Sequence, residues 1–280
     1  MARTIDLHVH STASDGILSP AEVVAQAAAH GVWLLAIADH DTTDGIREAQ
    51  AAAAAAEITL IPGVELSVGA EEHEIHVLGY FIDPDDQPFQ AVLRTLRSAR
   101  DLRNERIVAR LRELGAPIDL ERVKEIAGEG SVGRPHLAQA LIEAGHCASM
   151  GEAFGRYLAR GKPGYVGRER LGPAEAAQAI RQAGGIPVLA HPGKLGQRRR
   201  IEEIVDTGME GVEAFHSDHV EKDVELILDI AKARNLLVTG GTDSHGPHPE
   251  RPIEIGSLDR PEWVGEKFLA GAPDGWTDGR

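Results

Sequence analysis

TIDLHVHSTASDGILSPAEVVAQAAAHGVWLLAIADHD, residues 4–41, reads as a strand, a helix and a second strand. "TIDLHVH" is a short apolar run ending in two histidines one residue apart, His8 and His10. In "SPAEVVAQAAAHG" Ser19 is placed to cap a helix, Pro20 stands at its first position, Glu22 completes a capping box and Gly31 stops it. "WLLAIADH" has too few polar positions for a one-sided sheet, so the second strand is expected to be buried on both faces.

The rhythm continues outward from this unit. "TTDGIREAQAAAAAAE" reads as an alanine-rich helix, and "ITLIPGVEL" and "EIHVLGYF" as two more strands. Beyond residue 170 helices and strands alternate again: "GPAEAAQAIRQAGG", "IPVLAHP", "RIEEIVDTG", "GVEAFHS", "VEKDVELILDIAKARN" and "LLVTGGTDSHG". Strands separated by helices of this length imply βαβ units and a parallel sheet.

The middle of the chain differs. One long helix is expected from Phe89 to about Leu114, carrying Arg94, Arg97, Arg100, Arg103, Arg106 and Arg110. A spacing of three drifts around the helix, so these arginines do not make one basic face. They are read as solvated and paired with Asp101 and Glu105. No strand signal follows, and residues 99–168 are read as a helical insert between barrel segments 1–98 and 169–280. Residues 94–170 carry 15 Lys/Arg against 10 Asp/Glu, whereas the remainder carries 14 against 34.

Composition narrows the function. The net charge of −15 argues against a general nucleic-acid binder, and duplex nucleic acid is not expected as a partner. No run approaches the ~18 apolar residues of a spanning helix, so no membrane partner is expected either. "MARTIDLHVH" lacks the apolar core of a signal peptide, and a cytoplasmic address is the expectation. The single cysteine, Cys147, rules out an internal disulfide and a thiolate metal cluster.

Followed to their ends, the strands share one property. The first ends in His8 and His10, the second in Asp39, His40 and Asp41, and the third in Glu65. The fourth carries His76, and later strands carry His191, Glu213 with His216, and Asp243 with His245. A lone histidine at a strand end is ordinarily a hydrogen-bonded residue, and His30, His73, His146 and His248 are read that way. The rest track one structural position, the carboxyl end of a parallel strand, where α/β folds bind ligands. Alternation along a strand aims His8 and His10 at one side, and Asp243 and His245 likewise. Imidazole and carboxylate without thiolate suit zinc, manganese or iron(II), and nine such groups exceed the needs of one ion. A cluster of two or three divalent cations, with Glu65 able to bridge two, would activate water and stabilise a phosphoryl oxyanion.

"HVH" with Asp15, "ADHD", "GVE", His76, "AHP" and "DSH" resemble, in order, the motifs of the PHP (polymerase and histidinol phosphatase) family, over residues 5–98 and 170–250. The resemblance implies a distorted (β/α)7 barrel that hydrolyses phosphoesters with two or three metals. Manganese is the family expectation, with zinc, iron and magnesium as alternatives. Carried over by motif, one site would use His8, His10, Glu65 and Asp243. A second would share Glu65 and add His76 and His191, and a third would use Asp15, His40 and His245. Many family members have histidine in place of Asp15.

The insert, "VGRPHLAQAL" and "GYV" resemble the branch that removes the 3′-phosphate from nucleoside 3′,5′-bisphosphates and trims short RNA from its 5′ end. The implied partner is a small nucleotide or short oligoribonucleotide. With few aromatic residues, an extended stacking platform for RNA is not expected. Arg134, Lys162, His136 and His219 are the candidate substrate-binding residues, and His191, His216 and Asp41 the candidate catalytic ones. Three alternatives stay open: another small phosphomonoesterase of the histidinol-phosphate type, a C–N amidohydrolase, and a non-catalytic PHP module. The sequence carries no signal of oligomeric state.

Overall fold

β1 (Thr4–Val9) and β2 (Val32–Ile37) run parallel and are joined by α1 (Pro20–Ala29) in this computed structural model. The structure describes residues 4–70, 73–128, 132–167, 171–248 and 251–277. Ser19 caps α1 by accepting the Glu22 N–H, and the Glu22 carboxylate accepts the Ser19 N–H at 2.8 Å. The chain continues through α2 (Ile46–Ala56), β3 (Thr59–Ala70), β4 (His73–Tyr80) and α3 (Gln87–Glu113).

Contacts divide the molecule into two compact units, Met1–Leu93 with Leu171–Arg280, and Arg94–Arg170. The second unit holds the rest of α3, α4 (Leu120–Ala127), α5 (Arg134–Glu143), α6 (Met150–Ala153) and a π-helical turn at Phe154–Leu158. Its core gathers Ile107, Leu111, Val123, Leu137, Leu141, Leu158 and the buried thiol of Cys147. The arginines of α3 are not all solvated, contrary to the sequence reading: Arg100 and Arg103 are buried. Arg103 donates from Nε to the Val166 carbonyl at 2.8 Å and lies over the Tyr165 ring. A guanidinium with several donors can hold loop carbonyls that would otherwise lie buried and unpaired.

The first unit resumes with α7 (Pro173–Gln182), β5 (Ile186–Leu189), a 3-10 turn at Pro192–Leu195 and α8 (Arg198–Val205). It continues with β6 (Gly211–His216), α9 (Glu221–Arg234) and β7 (Leu237–Gly241). A small hairpin of β8 (Pro247–His248) and β9 (Arg251–Pro252), and α10 (Trp263–Ala270), complete the described chain.

The seven long strands form one sheet in sequence order, β1 to β7. β1 and β7 approach to close it: Val9 bridges Ser244, and the Asp243 N–H donates to the His8 carbonyl at 2.7 Å. The result is a nearly closed (β/α)7 barrel. Ile5, Leu7, Leu34, Ala36, Leu78, Tyr80 and Val188 fill its interior, and Phe268 of α10 stacks on Phe81 at the end where β3 and β5 begin.

One strand departs from the parallel sheet that the sequence rhythm implied. β4 runs antiparallel to both β3 and β5. β3 ends at Ala70 and β4 starts at His73. A link this short makes only a hairpin, because a parallel crossover needs about a dozen residues. His76 therefore lies in the first half of its strand, yet at the rim where the neighbouring strands β3 and β5, which run the other way, end.

Candidate metal centre

The carboxyl-end rim of the barrel gathers imidazoles and carboxylates from β1, β2, β3, β4, β5 and the loop after β7. Glu65 sits at the middle, almost wholly buried. Its Oε1 lies 2.8 Å from His76 Nδ1, 3.1 Å from His191 Nε2 and 3.4 Å from His8 Nε2. Its Oε2 lies 3.0 Å from His40 Nδ1 and 3.4 Å from His10 Nε2. Asp243 closes the other side, with Oδ1 3.1 Å from His10 Nε2 and 3.6 Å from His8 Nε2.

His8 and His10 point the same way, and their Nε2 atoms are only 3.3 Å apart. Asp243 and His245 also come together, but not by strand alternation, because β7 ends at Gly241. A loop turns them inward, with Asp243 in the left-handed region at φ 54° and His245 Nδ1 3.0 Å from the Asp243 carbonyl. His10, Asp15, His40 and His245 form a further group whose donor atoms all lie within 4.8 Å of one another.

Burial and mutual charge set the protonation of the metal-free rim. Burial pushes His10 down to about 3 and His191 down to about 4. Burial also works against charge on His8, but Glu213, Glu65 and Asp243 lift it well above the ordinary histidine range. His245 is raised to about 9: burial opposes this, and the Asp15 and Asp243 carboxylates overcome it. Glu65, Asp15 and Asp243 are held well below the usual carboxylate range by the surrounding imidazoles, against their own burial.

The donor set fits divalent metal ions. His10 Nδ1, His40 Nδ1 and Glu65 Oε2 are buried without a hydrogen-bond partner. Buried polar atoms left so are costly unless something else meets them. Nitrogen and oxygen donors converge on shared points, with no sulfur, as borderline or hard divalent cations require.

Glu213, read with His216 on its strand but absent from the ligand set that the family motifs imply, braces this set. Its Oε1 accepts the His8 Nδ1–H at 3.0 Å, and its Oε2 accepts the His191 backbone N–H at 2.8 Å. His8 is thereby left with Nε2 facing the cluster, the carboxylate–histidine arrangement that orients metal-binding imidazoles. Gly241 lets β7 run against β1 at this point: a Cβ there would lie 2.3 Å from the His8 Cβ.

The PHP domain model matches residues 6–127. A 5′-3′ exoribonuclease of Haemophilus influenzae is 36% identical over 252 residues, 88% of this chain and 92% of that protein. The chain belongs to the PHP family. A 3′,5′-nucleoside bisphosphate phosphatase of Chromobacterium violaceum is also 36% identical, over 259 residues and 87% of each chain. The crystal structure of a Bifidobacterium adolescentis protein described as a metal-dependent phosphoesterase superposes with a TM-score of 0.86 at 30% identity, over 98% of both chains. As a PHP protein with this rim, the chain is a phosphoesterase, a hydrolase whose site is built for divalent metals.

Not every residue singled out in the sequence stands among the converging donors of the PHP site. Asp41 does not: its Oδ1 accepts the Ser67 N–H at 2.9 Å, and its own N–H donates to the Glu65 carbonyl. These bonds make it a brace that places Glu65. His219 has both ring nitrogens engaged, Nδ1–H donating to the Ala214 carbonyl at 2.8 Å and Nε2 accepting the Gly193 N–H at 3.0 Å. Both ring nitrogens of this candidate substrate-binding residue are thus engaged within the barrel unit.

His136 accepts the Gly133 N–H through Nδ1 and so caps α5. Arg134 is the first residue of α5 and Lys162 an exposed loop residue, both in the Arg94–Arg170 unit. Among the described residues no helix is long and apolar enough to cross a membrane.

Proposed function

We propose that this protein removes the 3′-phosphate from nucleoside 3′,5′-bisphosphates and also acts on the 5′ end of short RNA, in the cytoplasm, with manganese as its metal. The observation that carries the reading is the joining of two facts. The rim converges nitrogen and oxygen donors around Glu65, and relatives aligned over most of this chain bear the names of a bisphosphate phosphatase and a 5′-3′ exoribonuclease.

The metal ligands would be His8, His10, Glu65 and Asp243 for one ion, Glu65, His76 and His191 for a second, and Asp15, His40 and His245 for a third. When bound, divalent ions polarise phosphoryl oxygens and lower the pKa of water towards 7. The chain's own groups do the rest. Glu213 and Asp41 fix His8 and Glu65, so little reorganisation is needed when substrate arrives.

His216 is the proposed proton holder. Its Nδ1 accepts the Asp218 N–H at 3.0 Å, so the neutral ring carries its proton on Nε2. That Nε2 is buried without a hydrogen-bond partner and lies 3.4 Å from Asp243 Oδ2. A metal on Nε2 would force the ring proton onto Nδ1, against the Asp218 N–H. His216 therefore offers an N–H to the leaving oxygen, whereas His191, with Nε2 turned to Glu65, serves as a ligand. Arg134 and Lys162 are proposed to bind the second phosphate.

The test is phosphate release from adenosine 3′,5′-bisphosphate with added manganese, with adenosine 5′-monophosphate as the control. Release from the bisphosphate alone is expected. Equal release from both would show that the 3′ position is not recognised, and release from neither would remove the nucleotide reading.

A further inference from the structure

The 3-10 turn at Pro192–Leu195 follows His191 directly and carries Lys194, a residue that neither the strand-end pattern nor the family motifs single out. The turn is pinned from two sides. His191 enters it in the left-handed region at φ 30°, and the Gly193 N–H donates to His219 Nε2, whose ring is tied in turn to the Ala214 carbonyl. Gly193 is required there, because a Cβ would lie 2.5 Å from His219 Cδ2.

The facing segment is braced as well: the Asp218 N–H donates to His216 Nδ1, and the His219 N–H to the His216 carbonyl. Between these two segments the Lys194 ammonium lies 3.1 Å from Asp218 Oδ2 and 3.9 Å from Asp243 Oδ2. Asp243 is the carboxylate that also meets His10 and His216. Lys194 thus holds a positive charge at the lip of the cluster, half exposed to solvent. Arg198 and Arg199, the next cations along the chain, point their charge along α8 to Glu202 and Glu203 instead.

We propose that Lys194 is a phosphate-binding residue of the barrel itself, donating to a non-bridging oxygen of a phosphate monoester or inorganic phosphate seated at the metal rim. Where Asp243 serves as a metal ligand, its charge is shared and Lys194 keeps only Asp218 as a full counter-charge. An ammonium has three donors, and the two carboxylates do not exhaust them. Its neighbours suit it to anions generally, but a dianionic phosphate next to bound cations gains most from one further positive charge.

The inference takes from the proposed function only that the anion is a phosphate. Its test is calorimetric titration of the metal-loaded full-length protein with inorganic phosphate, with metal content measured on the same samples. Lys194→Met is expected to weaken phosphate binding about 10- to 100-fold, the loss of one charged hydrogen bond, with metal content unchanged. Lys194→Arg should restore most of the affinity, since the charge returns.

Three outcomes would overturn the proposal: phosphate binding by Lys194→Met within about twofold of the wild type, loss of metal from that variant, or absence of phosphate binding by the wild type. A wild type that binds phosphate through Lys194 but cleaves no bisphosphate would sink the nucleotide reading and leave this one standing.

Discussion

Glu213 fixes the tautomer of His8. A wholly buried carboxylate accepts a hydrogen bond from the Nδ1–H of a wholly buried imidazole, and its other oxygen accepts the backbone N–H of His191. The pair holds itself ionised: burial would raise the Glu213 carboxyl, but His8 and His216 bring it down to about 2.

Glu213→Gln keeps the shape and spoils the pairing. An amide offers one acceptor oxygen where two N–H groups arrive, so one donor is left facing an NH2. The expected cost is about 1–3 kcal/mol of stability from the unpaired buried donor. Metal affinity should fall about 10- to 100-fold, as for other carboxylates that orient a ligating histidine. Thermal melts and metal retention against a chelator measure the two effects separately.

Gly241→Ala attacks the same imidazole sterically. The new methyl would stand 2.4 Å from the His8 backbone nitrogen, so β1 or β7 must move. Overpacking of this kind costs about 1–3 kcal/mol. Retention of wild-type melting temperature and metal content would show that the strands can part there without consequence.

Metal binding at neutral pH should release protons. His8 and His245 carry raised pKa values in the metal-free protein, so both are protonated at pH 7 and must lose the proton to bind a cation. His10 and His191, lowered to about 3 and about 4, are already neutral and release none. Affinity should therefore climb as pH rises from neutrality towards about 9, where His245 gives up its proton. Calorimetry in two buffers of different ionisation enthalpy counts the protons, and a count of zero at pH 7 would contradict the assignment.

The depressed pair has the opposite signature in folding. His10 and His191 are neutral in the folded protein and charge only on unfolding, so the unfolded chain binds more protons between their folded values and about 6.5. Their contribution to the stability of the metal-free protein is complete above that range and is lost as pH falls through it towards about 4. A metal-free protein whose melting temperature stays flat from pH 7 to pH 4 would show that these imidazoles are not buried as described.

Asp15→Asn tests the third metal position. Asp15 Oδ1 lies 3.4 Å from His245 Nε2, and Oδ2 lies 3.9 Å from His40 Nε2. Removing its charge should cost one metal equivalent per chain and spare the ions held around Glu65. In the metal-free protein the His245 pKa should fall from about 9, because burial already disfavours its charge and Asp15 is the foremost group sustaining it. Elemental analysis and histidine NMR titration read the two effects.

Much of this was legible in the sequence because it depends on local order. The cap of α1 follows from Ser19, Pro20 and Glu22, and the convergence of His8 and His10 follows from the two-residue period of a strand. The parallel reading missed the reversal of β4, although "GVELSVGAEEHEIHVLGY" leaves no room for a crossover. What could not be read depends on partners far away in the chain. Glu213 and His8 are 205 positions apart. His219 resembles a free histidine until Ala214 and Gly193 are seen to occupy it. Arg103 looks solvated until Val166 and Tyr165 close on it.

The lone thiol gives the smaller unit a reporter of its own. Cys147 is the one cysteine of the whole sequence, and it lies in the core of the Arg94–Arg170 unit, its acidity suppressed first of all by burial. A thiol reagent added to the unmodified protein reacts faster when that core opens. The labelling rate therefore follows the breathing of the helical unit alone, and substrate or metal that steadies it will be seen as slower labelling, with no engineered probe.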